Sequence, residues 1–255
     1  MSIADKKVVQ NQYATSARLE TRISIHEKYS RNKQPFGAWI VSLYDLRPGE
    51  KVLELGCGTG SMWQGVILPE GCHVTLTDLS AGMLETARQN TAHLHADYAV
   101  CDAMALPYED NAFDVVIANM MLYHVPDIAR ALREIRRVLK PEGRFFAATF
   151  GEHGAVEAVL NMLHLPCTVN HRFTLQNGTA QLQEQFADVR IMRRDDALDI
   201  TDIADLITYL RSMQGMTILA DIPDDKLMNV FNAHMQDGVL SLPKEYGLFI
   251  CSGTR

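Results

Sequence analysis

Apolar and polar positions follow two periods along this chain, and the switches between them mark its elements. Val52, Leu53 and Leu55, with Glu54 among them, predict a short buried strand that breaks at once into Gly56, Cys57, Gly58, Thr59 and Gly60. Met62 to Leu68 then predicts a helix. A second strand is expected over His73–Thr77, followed by Asp78 and a helix from about Ser80 to Asn90, with Ser80 as N-cap. Tyr98–Cys101 reads as a third strand ending at Asp102. Val115–Ala118 reads as a fourth, nearly all apolar, as a strand covered on both faces should be. Asp127 stands where it would cap a helix whose Ile128, Ala131, Leu132, Ile135, Val138 and Leu139 form one stripe. Lys140-Pro141-Glu142-Gly143 stops that helix, and Arg144–Phe150 is the fifth strand.

The flanks are less regular. Residues 3–45 read as helices, with Ile23, Ile25 and Tyr29, then Phe36, Trp39, Ile40 and Leu43, at loosely helical spacing. Beyond the fifth strand, Ala155–Leu163, Thr174–Phe186, Thr201–Met213 and Asp224–Gln236 read as helices, although Asn177-Gly178 more often signals a turn. Val189–Arg194 and Gly247–Ser252 complete a set of seven strands. Alternating β and α units of this length imply a doubly wound, Rossmann-like α/β sheet with right-handed crossovers. The organisation expected is a helical cap at 1–45 and a core domain at 46–255, with cap insertions at about 151–173 and 200–242.

Composition narrows the class. With 255 residues and 47% hydrophobic residues the chain can bury a sizeable core. No apolar run approaches the roughly 20 residues of a membrane span, and the N-terminal residues lack the apolar stretch of a signal peptide. No membrane span and a cytoplasmic protein are therefore expected. The five cysteines include no C-x-x-C pair, so neither a disulfide framework nor a zinc site is expected; the metal expectation is none. Cys57, Cys72 and Cys101 read as small apolar residues. A net charge of −7 argues against a nucleic-acid partner. Residues 1–40 nonetheless carry seven Lys/Arg against three Asp/Glu. That excess either faces an anionic substrate or is a solvated helix face.

Strand, glycine turn, helix is the arrangement that brings a backbone close to a nucleotide-like ligand. Asp78, twenty residues after Gly58, would end the second strand beside that turn, where a carboxylate can accept from both hydroxyls of a ribose. Its alternative role is to satisfy free backbone donors of the following helix. Asp102 and Ala103 end the third strand, where a carboxylate and a backbone N–H can read an adenine edge; singly, Asp102 is a plain turn residue. The glycine spacing is G-x-G-x-G, one residue shorter than the dinucleotide fingerprint. Glu54, half-buried by pattern, needs a donor or a cation as partner. Both features favour S-adenosylmethionine over a nicotinamide dinucleotide.

The stretches VLELGCGTG, VTLTDLSAGML, VCDAMALPYEDNAFDVVIANMMLYHV and LREIRRVLKPEGRFFAATF resemble the successive motifs of class I S-adenosylmethionine-dependent methyltransferases. They are most similar to the small-molecule branch that includes the ubiquinone and menaquinone biosynthesis type, over about residues 48–150. The resemblance implies a seven-stranded sheet, mostly parallel with the last strand antiparallel, helices on both faces, and a methyl group transferred to an O, N, S or C atom of a small molecule. It implies that Gly56, Gly58 and Gly60, with Glu54, hold the methionine part of S-adenosyl-L-methionine, leaving S-adenosyl-L-homocysteine as product. Asp78 would hold the ribose, Leu79 would pack on the adenine, Asp102 and Ala103 would read its edge, and Asn119 would offer its carbonyl to the amino group. Met62, Met83, Met120 and Met121 read as packing residues, some near the adenine or the acceptor, with Met83 on the cofactor side.

Methyl transfer from a sulfonium is an in-line displacement, so a protein mainly aligns the reactants and excludes water. A base is needed only for a protonated acceptor; Tyr123 and His124, after the fourth strand, either supply it or shape the wall. Tyr13, His26, Tyr29 and Trp39 from the cap, with His153 and His171, are candidates for the acceptor side, and His164 reads as structural. A monomer or homodimer is expected. Two other functions stay open: a non-catalytic S-adenosylmethionine-binding regulator, and a nicotinamide-dependent oxidoreductase, which the glycine spacing disfavours.

Overall fold

A computed structural model describes residues 24–166 and 171–254 of the protein. Seven strands form one sheet: β1 (Lys51–Leu55), β2 (His73–Asp78), β3 (Asp97–Val100), β4 (Phe113–Ile117), β5 (Leu139–Phe150), β6 (Phe186–Arg194) and β9 (Tyr246–Thr254). Their order is β3-β2-β1-β4-β5-β9-β6. Neighbouring pairs from β3 to β5 are parallel, while β9 runs antiparallel to both β5 and β6. The order reverses direction between β1 and β4, the crevice where open sheets of this kind bind ligands.

Both faces are covered. Helix α1 (Phe36–Leu43) and a short 3-10 turn, Ser61–Trp63, lie over Val52, Val74, Val115 and Phe146. On the other face α3 (Ile128–Val138) buries Ile128, Ala131, Leu132, Ile135 and Val138 against Leu53, Val116 and Phe145. Its N-cap is Asp127, which accepts from the Arg130 backbone at 2.9 Å. Helix α2 (Ala81–Asn90) is capped by Ser80, whose hydroxyl accepts from the Met83 backbone at 3.3 Å.

Three expectations need correction. Residues 62–68 do not form a helix: Trp63 is pulled into the core and Gly65, at φ +72°, turns the chain. Thr174–Phe186 is helical only over α5 (Gly178–Leu182), because Asn177 takes the turn role its pairing with Gly178 suggested. Finally, two strands went unread: β7 (Ala197–Ile200) and β8 (Leu240–Pro243) pair antiparallel in a sheet of their own.

That small sheet belongs to a second core. Ile25 and Tyr29, from a helical stretch at 24–29, pack with Leu198, Leu242 and the buried faces of α4 (Ala155–Met162), α6 (Ile203–Ser212) and α7 (Asp224–Ala233). The chain then bridges from Ser30 to Leu198. Cations of the N-terminal segment are spent here: Lys28 lies 2.6 Å from Asp205 and Arg31 2.8 Å from Asp199. The side chain of Asp196, shielded from solvent, meets Lys244 at 2.8 Å and Arg194 at 3.4 Å, and accepts from the Asn32 backbone. Of the positive excess in residues 1–40, Lys28 and Arg31 therefore face carboxylates of the same chain. Among the described residues no helix is long and apolar enough to cross a membrane.

Candidate cofactor and acceptor cleft

The loop after β1 is built by its glycines. Gly56, Gly58 and Gly60 all adopt left-handed φ, at +67°, +57° and +68°. The turn is then pinned from below. Cys57 donates its N–H to the Thr77 carbonyl at 2.9 Å, and Gly58 donates to Asp78 Oδ2 at the same distance. Asp78 Oδ1 accepts from the Ser80 backbone at 2.8 Å. Burial pushes the Asp78 carboxyl above its ordinary range, against these backbone bonds. Asp78 thus satisfies backbone donors of the loop and of the following helix start, and it also lines the cleft.

Glu54 is 2% exposed, in the middle of an apolar strand. Its Oε2 accepts from the Trp63 indole at 2.6 Å and its Oε1 from Asn119 Nδ2 at 3.2 Å. Asn119 Nδ2 also reaches the Tyr44 hydroxyl at 2.6 Å, while its Oδ1 is buried without a partner. Among the described residues no cation touches this carboxylate, and burial pushes it up to about 7. Trp63 and Tyr44 were not singled out from the sequence. The signal available was Glu54 itself, since a lone acid in a buried strand requires donors and an indole N–H is an apolar-bodied donor; the Tyr44 hydroxyl accepts from Asn119 instead.

Glu54, Asn119, Asp78 and the loop residues 56–58 line one cleft of about 220 Å³ at the carboxyl ends of β1, β2, β3 and β4; Trp63 and Tyr44 do not. Of the residues expected around a cofactor, Glu54, Gly56, Gly58, Asp78 and Leu79 face it from the first two strands. Met83, Asp102, Ala103 and Asn119 face it from the others. Gly60 does not. A Cβ there would sit 2.9 Å from Thr91 Cγ2 and 3.3 Å from Ala87 Cβ, so its glycine serves close packing behind the loop. Asp102 Oδ1 accepts from the Met104 backbone at 3.0 Å, which holds its own turn.

Of the candidate catalytic pair, His124 lines the cleft. Tyr123 stands behind it, its ring 4.5 Å from His124 and 4.7 Å from Phe150. Of the acceptor candidates from the cap, the described ones, His26, Tyr29 and Trp39, do not line the cleft. Tyr29 gives its hydroxyl to Asp205 at 2.6 Å. His26 packs edge-on to Tyr209 and Tyr246, and Trp39 lies under the Arg194 guanidinium. His153 pairs with Glu157 and His171 with Glu152. Tyr13 and Cys167 lie outside the described residues. Cys57, Cys72, Cys101 and Cys251 are free thiols, and among the described residues no group could hold a metal ion.

A family model described as a methyltransferase domain matches residues 53–147, the stretch from β1 into β5. Over 185 residues the chain is 32% identical to the malonyl-[acyl-carrier protein] O-methyltransferase of Erwinia billingiae, covering 71% of this chain and 69% of that protein. The chain belongs to the class I S-adenosylmethionine-dependent methyltransferase family.

Within that family it is also 42% identical, over 101 residues, to a demethylmenaquinone methyltransferase of Staphylococcus haemolyticus, covering 38% of this chain and 42% of that one. The chain spans less than half the length of several such curated relatives. A structure of the Haemonchus contortus phosphoethanolamine N-methyltransferase 2 in complex with S-adenosyl-L-methionine shares the fold, with a TM-score of 0.62 and 18% identity, covering all of this chain and 60% of that one. The methyltransferase frame explains why the glycine loop, Asp78 and Asp102 stand at three successive strand ends around one cleft.

Proposed function

We propose that the protein transfers a methyl group from S-adenosyl-L-methionine to an O, N, S or C atom of a small-molecule acceptor. The observation that carries this is the cleft itself: a left-handed glycine loop with carboxylates at the ends of β1, β2 and β3. The residues fit the cofactor's chemistry. Glu54, with the unpartnered Asn119 Oδ1 beside it, forms a buried acceptor set suited to an ammonium group. Asp78, which accepts from the backbone of Gly58, Leu79 and Ser80 and lines the cleft, suits a ribose diol, and Leu79 and Met83 give an apolar wall for the base. Asp102 and the Ala103 backbone suit the polar edge of that base. A sulfonium cofactor supplies both the methyl group and its own leaving group. The chain's task is then to bind, align and exclude water.

That His124 lines the cleft and Tyr123 does not supports His124 as the group that would accept a proton from an acidic acceptor. The second core, with the helical stretch at 24–29, α4, α6 and α7, serves as the cap. The relatives are named for acceptors as different as malonyl-acyl carrier protein and demethylmenaquinone, so family membership leaves the acceptor open.

Calorimetric titration with S-adenosyl-L-methionine and with NAD tests the reading, together with release of S-adenosyl-L-homocysteine over a panel of acceptors. Saturable binding of the sulfonium and turnover are expected. Binding of NAD alone would overturn the assignment; binding without any turnover would favour a non-catalytic sensor.

A further inference from the structure

Trp63 and Tyr44 are each 1% exposed and stand outside the cleft, yet both end on groups that line it. Trp63 belongs to the 3-10 turn that leaves the glycine loop, and its backbone N–H donates to the Gly60 carbonyl at 3.0 Å. Tyr44 ends α1. Its carbonyl accepts from Arg144 Nη1 at 2.6 Å, and Arg144 Nη2 donates to both Glu50 oxygens at 2.7 and 2.8 Å. The two rings lie 6.1 Å apart and pack with Ile40, Val52 and Phe146.

Phenylalanine would serve that packing at either place; the polar atoms add direction. The indole N–H fixes Glu54 Oε2 at 2.6 Å. The Tyr44 oxygen accepts from Asn119 Nδ2 at 2.6 Å, and the same amide nitrogen donates to Glu54 Oε1 at 3.2 Å and to the Met62 sulfur at 3.4 Å. An amide turned the other way would set Oδ1 against an ionised carboxylate. Tyr44 and Glu54, both accepting, therefore keep the nitrogen end of Asn119 toward them. The result is a carboxylate held at both oxygens, with lone pairs left on each. Beside it is a buried Asn119 Oδ1 that has no partner among the described residues.

Acceptors discriminate best when their directions are fixed beforehand, because no rotamer freedom is then lost as the ligand arrives. We propose that Trp63 and Tyr44 are positioning residues for the ammonium end of the cofactor. Trp63 through Glu54, and Tyr44 through Asn119, aim the acceptors that distinguish a nucleoside carrying the amine from one without it. This rests on the cofactor reading above.

The test compares S-adenosyl-L-homocysteine with its deaminated analogue, in which hydrogen replaces the amino group, by calorimetry or, for a weak ligand, by competition. The wild-type protein should prefer the amine at least about tenfold. Trp63→Phe and Tyr44→Phe keep an aromatic ring and remove the polar group. Trp63→Phe should weaken S-adenosyl-L-homocysteine at least about tenfold and the analogue less than about threefold. Tyr44→Phe should give a smaller loss of the same kind, and it decides alone if Trp63→Phe fails to fold. Added to Glu54→Gln, Trp63→Phe should weaken binding by less than about a further threefold, because the group it aims is already altered. Equal losses for both ligands in each folded variant, no loss for either, or full additivity with Glu54→Gln would make these rings packing residues and overturn the proposal. Equal binding of the two ligands by the wild type overturns it as well and leaves the cofactor reading standing. If S-adenosyl-L-homocysteine itself fails to bind, the cofactor reading falls and this one with it.

Discussion

The Gly58 N–H donates to Asp78 Oδ2 across 2.9 Å, joining the loop after β1 to the end of β2. One side chain thereby holds the glycine turn in its left-handed path and presents the rest of its lone pairs to the cleft. Asp78→Ala removes bonds to Gly58 and Ser80 as well as the ribose acceptor. With charge-assisted bonds worth roughly 1.5–3 kcal/mol each, affinity for S-adenosyl-L-methionine should fall at least about tenfold. Asp78→Asn, which keeps an acceptor oxygen, should lose less. Calorimetry on both variants checks the order; unchanged affinity in the alanine variant would remove Asp78 from the site.

Glu54 predicts a pH dependence. Burial raises its folded carboxyl to about 7 from the ordinary 4.5 of a glutamate. A group raised in the folded state contributes stability that is full below about 4.5 and lost as pH rises through about 7. The wild-type protein without cofactor should therefore lose melting temperature relative to Glu54→Gln across that window. Binding of a cationic cofactor favours the ionised carboxylate, so wild-type affinity should rise with pH through the same range while the glutamine variant stays flat. Parallel melting curves for the two proteins would contradict the assignment.

Gly60 should separate packing from binding. An added Cβ must adopt φ +68° and lie 2.9 Å from Thr91 Cγ2. Gly60→Ala should cost roughly 1–2 kcal/mol in urea unfolding, from left-handed backbone strain and the steric clash. Thr91→Ser deletes the clashing methyl and keeps the hydroxyl that donates to the Ala87 carbonyl at 2.7 Å. Adding it should recover part of the loss. No recovery would place the cost in the backbone alone.

The Asp196 cluster predicts a large stability effect far from the cleft. The side chains of Arg194, Lys244 and Asp196 are 1%, 4% and 0% exposed. Asp196→Asn leaves two buried cations without their carboxylate, which should cost about 3–5 kcal/mol. Amide exchange should show the loss first in residues 30–39, since the Asn32 N–H donates to Asp196 and the Arg194 guanidinium to the Gln34 carbonyl. A variant as stable as the wild type would show that the cations are solvated by Ser30, backbone carbonyls and the rings of Trp39 and Tyr246 alone.

Local chemistry was enough for much of this protein. Short β-branched and apolar runs ending in Gly56 or in an acid specify strands whose carboxyl ends gather polar groups, and Ser80 and Asp127 specify helix starts within one turn. Those signals lie within a few residues of one another, so the α/β alternation, the glycine loop and the acids at 54, 78 and 102 were legible from the chain alone. Tertiary structure decided the rest, because the deciding contacts join residues far apart in sequence. Trp63 leaves its expected helix to donate to Glu54, and Tyr44 reaches Asn119 seventy-five residues away. Tyr29, Trp39 and His26, as good as any aromatics for a pocket, are taken up by Asp205, Arg194 and Tyr246 instead. The strands β7 and β8 are four residues each and forty residues apart, too short for their own period to be read, and they form because each supplies the other's ladder, with Ser30 bridging to Leu198. Gly60 shows the same division at one position: its sequence matches the loop motif, and only the packing of Thr91 and Ala87 against it shows that it faces away from the cleft.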